Sequence, residues 1–375
     1  MGLLLLCHGA EPTRHESEGS VNMPAPQSPD LAVVKMKSSP AVVNNTSRTA
    51  VLLGAQRFNP TLGRVVASLG IKGRIALITA GWQEREREDE ELSTHLGSNT
   101  VNLALHARGS VVFHQDKELA VAHRVRQDLL RHLQEIYRIR LEAAFEAERD
   151  VRAYDTPAAI RDEVTAASIE AIRSLDAWHL EQCARVRAEF DVRLEVTERP
   201  AIQRQRNDLK EQLKDCVGVA IAGGHVAVLI NRLGIFDIDG LIGDRPVFAW
   251  SAGAMAISDR MVLFHDDPPQ GRIARQVLDV GLGFVPQTVV LPEPERRLHM
   301  EAHDRVSLVA LRFAPARCLA FPACSYVVWQ GGRLHRAEGV VELGADGEHR
   351  PFLPLTEDPS GVSERRTKTR DRRSR

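Results

Sequence analysis

In the run Val247-Phe248-Ala249-Trp250-Ser251-Ala252-Gly253-Ala254-Met255-Ala256, an apolar stretch meets a serine and passes directly into small residues. A serine hydroxyl is well placed for attack when a tight strand-to-helix turn lifts its oxygen above the edge of a sheet. Residues flanking such a turn must be small, because neighbouring backbone passes close by. Ala249 stands where the general G-x-S-x-G pattern has glycine, and Gly253 keeps the second glycine. The helix opened by Ala252 would present free N–H groups and its positive dipole end to an oxyanion. Taken alone, the same serine also suits an ordinary helix cap.

A second segment points to the same chemistry. Ile221-Ala222-Gly223-Gly224-His225 ends an apolar run with two glycines. Glycine lets backbone N–H groups face a ligand with no Cβ in the way. Were the two runs neighbouring parallel strands, the N–H groups of Gly224 and Ala252 would flank one point. A third segment, Ala80-Gly81-Trp82-Gln83-Glu84, also follows an apolar run, and ligand sites of α/β proteins form at that edge of the sheet. Trp82, Gln83 and Glu84 are therefore candidates to hold a substrate amine or guanidinium, with a plain exposed helix start as the alternative. From Arg85 onward the alternating charges read as surface pairs.

These segments need a frame to position them. Residues 50–54, 74–81, 110–113, 216–222 and 246–250 are short continuous apolar runs, the pattern of strands buried on both faces of a parallel sheet. A short helix over 61–69 completes the first βαβ unit. Further strands are expected at 261–264, 288–291, 318–321 and 326–330, with a helix at 306–313. Gly331-Gly332 reads as a hairpin turn into Arg333-Leu334-His335. Between these halves apolar residues recur at three- and four-residue steps, from Leu119 to Phe145 and again from Ile169 to Phe190. The break at Tyr154-Asp155-Thr156-Pro157 suits a helix start. The spacing predicts a long antiparallel helical hairpin inserted at about 117–215, a packing or homodimerisation arm with no chemistry of its own.

Composition bounds the rest. The 375 residues are 43% hydrophobic and 26% charged, normal for a globular chain large enough for a full core. Lys and Arg number 49 against 50 Asp and Glu, so no overall field recruits nucleic acid or anionic membrane. Residues 1–48 read as a disordered leader, 49–355 as the α/β domain, and 356–375 as a basic disordered tail. The opening Met1–Cys7 lacks the basic start and the length of a secretion signal, and no run has the roughly 18 apolar residues of a membrane span. Cys7, Cys183, Cys216, Cys318 and Cys324 are scattered, which fits a reducing, cytoplasmic setting without a disulfide framework or metal site. No cofactor motif is present, and the G-x-x-x-x-G-K phosphate loop is absent.

The order Gly223-Gly224-His225, Trp250-Ser251-Ala252-Gly253-Ala254, Gly281-Leu282-Gly283-Phe284, Leu291-Pro292 and Arg296-Arg297-Leu298 resembles the peptidase E and cyanophycinase family. The resemblance covers roughly residues 49–115 and 216–342. It implies a class I glutamine amidotransferase-like fold, a three-layer sandwich of helices around a mostly parallel sheet, with the helical hairpin added. It further implies a serine hydrolase of small peptides or amides. Ser251 matches the nucleophile, and Gly224 and Ala252 match the positions whose N–H groups hold the oxyanion. His225 departs from the family's Gly-Gly-Asn turn. The acidic partner falls on Asp266 or Asp267. Where the family places its Pro-His histidine this chain has Glu293. A serine hydroxyl needs a positioned base, so three readings follow: Glu293 is the base, or His299, His303 or His265 fills the gap, or the site binds without turnover.

Overall fold

Alternate residues of the short apolar runs feed two different cores, which is why each run is apolar throughout. In β1 (Ala50–Leu53), Ala50 and Leu52 enter one core while Val51 and Leu53 enter another. After α1 (Leu62–Ser68), β2 (Arg74–Ile78) repeats the pattern, Ala76 and Ile78 facing one way and Ile75 and Leu77 the other. The chain continues through α2 (Glu90–His95), β3 (Thr100–Asn102) and α3 (Leu105–Gln115) to three helices, α4 (Lys117–Ala153), α5 (Ala158–Leu194) and α6 (Pro200–Lys214). Next come β4 (Cys216–Ile221), α7 (Val226–Ile235), α8 (Ile238–Ile242), β5 (Val247–Trp250) and α9 (Ala252–Ile257). The remainder is β6 (Arg260–Leu263), β7 (Gln276–Val280), β8 (Thr288–Pro292), α10 (Pro294–Arg297), α11 (His303–Phe313), β9 (Arg317–Phe321), β10 (Tyr326–Gln330), β11 (Arg333–Glu338), β12 (Val341–Leu343) and β13 (His349–Pro351). This computed structural model describes residues 48–265 and 275–353. The leader up to residue 47, Asp266, Asp267 and the basic tail lie outside the described residues. Arg48, assigned to the leader by composition, is buried and donates to Asp239 at 3.0 Å.

The first sheet has the order β11-β10-β1-β5-β4-β2-β3. β1, β5, β4, β2 and β3 are parallel, and β10 and β11 are added antiparallel. Helices cover both faces, α1 on one and α3, α6, α7 and α9 on the other. The architecture is therefore an α/β sandwich around a mostly parallel sheet, with a long helical pair inserted. The hairpin at Gly331-Gly332 is present, both glycines at positive φ between Gln330 and Arg333.

Two features differ from the sequence reading. Residues 110–113 lie in α3, where Leu105, Gly109 and Val112 are buried at helical spacing while Val111 is exposed. The third strand is β3, and a four-residue apolar run does not by itself distinguish the two states. The strands after β5 also do not all join one sheet. β6, β8 and β9 form the centre of a second, six-stranded sheet of order β13-β12-β9-β8-β6-β7. Val290 on one face of β8 joins the main core, whereas Val289 and Leu291 on the other meet Tyr137, Leu141 and Ile172 of the helical pair.

Candidate active site

Three neighbouring strands end together at the edge carrying the serine. β4 pairs in parallel with β5, Ile221 opposite Ala249, and with β2, Ile221 opposite Ile78. The turns holding Ser251, Gly223-Gly224 and Gly81 therefore stand side by side.

Ser251 joins β5 to α9 at φ 51° and ψ −123°. That region costs an L-residue about 1–3 kcal/mol and persists only where the surroundings enforce it. Two close approaches enforce it here. A Cβ on Gly253 would lie 2.3 Å from the Ile221 carbonyl oxygen, so α9 seats directly on the end of β4. A Cβ on Gly223 would lie 2.8 Å from the Ser251 Cβ and 3.5 Å from its Oγ, so bare backbone forms a wall beside the hydroxyl. Gly224 follows at φ 108°, and the His225 N–H donates to the Gly81 carbonyl at 2.8 Å, which ties the second turn to the third. The Ser251 side chain does not cap its own helix, which leaves the hydroxyl available to a ligand.

His225 has a local role. Its Nδ1 accepts from the Val228 N–H at 3.3 Å and caps α7. An asparagine would cap the helix in the same manner. An accepting Nδ1 leaves the neutral ring's proton on Nε2.

In the third turn, Trp82 is half-buried and packs with the core that contains Leu62 and Val65. Glu84 is 83% exposed, with its carboxylate 4.0 Å from His106 Nε2. Gln83, between them, stands at φ 59° and ψ −122°, the same unusual conformation as Ser251. Glutamine carries no sequence signal for positive φ, so this second strained residue was not legible. Glu86, grouped by its neighbours with surface charges, is buried instead. Its carboxylate accepts from the His106 and Ala107 N–H groups at 2.7 and 2.9 Å, capping α3 from across the turn. Asn102 donates to the Glu86 carbonyl and to Thr79 Oγ1, which holds the turn in shape.

Glu293 ends β8 in the second sheet, at φ 56° and ψ 51°. Its carboxylate is 25% exposed and lies 3.7 Å from Arg296 and 3.8 Å from Arg297. Its setting is thus a pair of guanidinium groups, not an apolar pocket. His299 Nδ1 is 2.8 Å from Glu301, and His303 Nδ1 is 3.2 Å from Glu348. His265 Nδ1 is buried and has no hydrogen-bond partner among the described residues, and His265 directly precedes the undescribed residues 266–274. Among the described residues, no imidazole is hydrogen-bonded to Ser251.

No family model and no curated protein matches this sequence. Among solved structures, the chain is similar to a peptidase from an acI-B1 Actinobacterium, with 13% identity and a TM-score of 0.37. The alignment covers 82% of this chain and 97% of that one.

Proposed function

We propose that this chain is a serine hydrolase of small peptides or amides, built in the manner of peptidase E and cyanophycinase, with Ser251 as nucleophile. The observation that carries the reading is the strained Ser251 backbone at φ 51° and ψ −123°, enforced by Gly223 and Gly253. Strain of this kind collects where it serves a reaction. A structural serine at a helix start would satisfy the same hydrogen bonds without it. In this reading the Ser251 Oγ attacks a carbonyl carbon. The Gly224 and Ala252 N–H groups then receive the oxyanion, where fixed donors are worth about 3–4 kcal/mol each in the transition state. Glu293 is the first candidate for proton acceptor, His299, His303 or His265 are its alternatives, and Asp266 is the candidate acidic partner. Trp82 and Glu84 contribute to the rim that meets the substrate.

Labelling with a fluorophosphonate probe is the direct test. The folded wild-type chain should form one adduct on Ser251, and Ser251→Ala should form none. Folded wild-type protein without a Ser251 adduct would sink the hydrolase reading. Glu293→Gln should slow labelling by about 100-fold or more if Glu293 is the base, and His299→Ala should leave it unchanged.

A second reading has its own support. Glu293 is paired with two arginines, His299 with Glu301 and His303 with Glu348. A site so arranged binds a ligand without turning it over. Here Ser251→Ala leaves ligand binding intact, and any turnover lost with that change excludes this reading.

A further inference from the structure

Arginines from three helices come together where α4, α5 and α7 pack beside α3. Arg126 on α4 is only 9% exposed, and among the described residues it has no hydrogen-bond acceptor and no ion pair. Its guanidinium carbon lies 4.1 Å from the centre of the Phe190 ring instead. Folding strips water from such a cation and returns no acceptor, which is costly. Arg187, one turn before Phe190 on α5, is paired with Asp279. Arg232 on α7 crosses α3 at Gly109, where a Cβ would lie 2.6 Å from its Nε, and that Nε is also buried without an acceptor. Its Nη1 donates to Asn231 Oδ1 at 2.6 Å, and Asn231 Nδ2 donates to His123 Nε2 at 2.9 Å. His123 stands one turn before Arg126 on α4, so this chain of bonds brings Arg232 beside Arg126. Burial first lowers the Arg126 pKa to about 10; Asp191 opposes the shift, and Arg187 and Arg232 add to it.

We infer that Arg126 and Arg232 grip a phosphoryl group, free or carried by a small molecule, with Arg187 adding positive charge beside them. The nearby carboxylates do not take that place. Asp279 is held by Arg187, and Glu86 caps α3 through the His106 and Ala107 N–H groups. Asp191 acts on Arg126 through space without forming an ion pair with it. An accepting Nε2 leaves the His123 ring proton on Nδ1, so His123 adds a donor and no free acceptor. A set of donors selects a group that only accepts, and guanidinium forks match oxyanions. One fork occupies both oxygens of a carboxylate, whereas two forks from different helices need the further oxygens of a phosphoryl group.

This site stands apart from the serine turn, since Arg232 lies about two turns along α7 from His225. Its test is calorimetric titration of the full chain with inorganic phosphate, glycerol 3-phosphate and acetate at fixed ionic strength, which holds charge screening constant. Saturable 1:1 binding of phosphate or of its ester is expected, and Ser251→Ala should leave it unchanged. Equal affinity for the two marks free phosphate as the ligand, and a tighter ester marks a carried phosphoryl group. Arg126→Met and Arg232→Gln should each weaken binding by about 10-fold or more, the worth of one charged hydrogen bond. Asp191→Asn should tighten it, because a competing carboxylate is removed. No saturable binding of either phosphate, affinity for acetate as high, or full affinity in Arg126→Met overturns the proposal. Folding of that variant has its own readout. Arg126→Met removes an unpaired buried charge and keeps an apolar contact to Phe190, so without ligand it should melt at or above the wild-type temperature. A large fall in Tm would show that the guanidinium is already satisfied within the chain, and would overturn the site.

Discussion

Ser251 holds a backbone conformation that a glycine would adopt without penalty, and this makes its strain measurable. Ser251→Ala keeps the Cβ and therefore the strain. Ser251→Gly removes it, although the unfolded chain also gains freedom. The expected outcome is that Ser251→Gly unfolds at higher urea than Ser251→Ala, by about 1 kcal/mol, while both lose probe labelling. Equal midpoints would mean that the turn is relaxed. Gly253 supports the same point from the other side, since a Cβ there meets two backbone carbonyls, at 2.3 and 2.9 Å, that cannot move aside cheaply. How much of this was legible depended on the residue. The serine between an apolar run and small residues announced the turn, and the glycines announced close approach. The cap made by His225, the burial of Glu86 and the strain at Gln83 depend on what lies opposite each side chain, which a linear pattern does not contain.

At the scale of elements, buried polar groups fasten the helical pair to the second sheet. Tyr137 of α4 donates to Asp176 of α5 at 2.6 Å, and Arg312 of α11 reaches both Asp176 and Tyr137 at 2.6–2.9 Å. Burial opposes the charge on Arg312, but Asp176 outweighs it and raises the guanidinium pKa. Asp176→Asn leaves that buried cation without its counter-charge and should cost about 3–5 kcal/mol in urea denaturation. Asp176→Leu together with Arg312→Met should recover part of the loss, because no buried charge is left unpaired, although the Tyr137 hydroxyl loses its acceptor and the Arg275 carbonyl its donor. A second fastening is pH-dependent. His123 of α4 shares a hydrogen bond with Asn231 of α7. Burial first, then Arg126 and Arg232, lower its pKa from 6.5 to about 4 despite the Asn231 bond. Between those values the unfolded chain binds the proton and the folded chain does not. Stability is therefore full above about pH 6.5 and is lost as pH falls to about 4, by up to about 3 kcal/mol. His179, also lowered by burial, adds in the same direction. His123→Gln should flatten this part of the pH profile, as followed by urea midpoints from pH 7.5 to 4.

For the whole molecule, the inserted helices are part of the core and not an appendage. Leu119 and Ala122 of α4 enter the main core, and Tyr137 and Leu141 enter the core of the second sheet. Replacing residues 118–193 by a short linker strips the apolar face that includes Val277, Val289 and Leu291. The expected product is insoluble or binds a hydrophobic dye strongly, and a soluble, cooperatively folding product would contradict this packing. Among the described residues, no helix is long and apolar enough to cross a membrane. By itself the sequence determined the apolar runs, the two long helices and their break before Pro157, and the serine turn. Each depends on local period or on the space that one residue type requires. Only the tertiary structure decided that β4 lies between β5 and β2, that β6, β8 and β9 leave for a second sheet, and that Glu293 meets Arg296 and Arg297. An apolar strand reads the same whichever neighbour it pairs with, and a side chain's partner is set by residues far away in the chain. The strand-to-helix turn at Ser251 was therefore visible from its own ten residues, whereas the side chains brought around it from elsewhere in the chain were not.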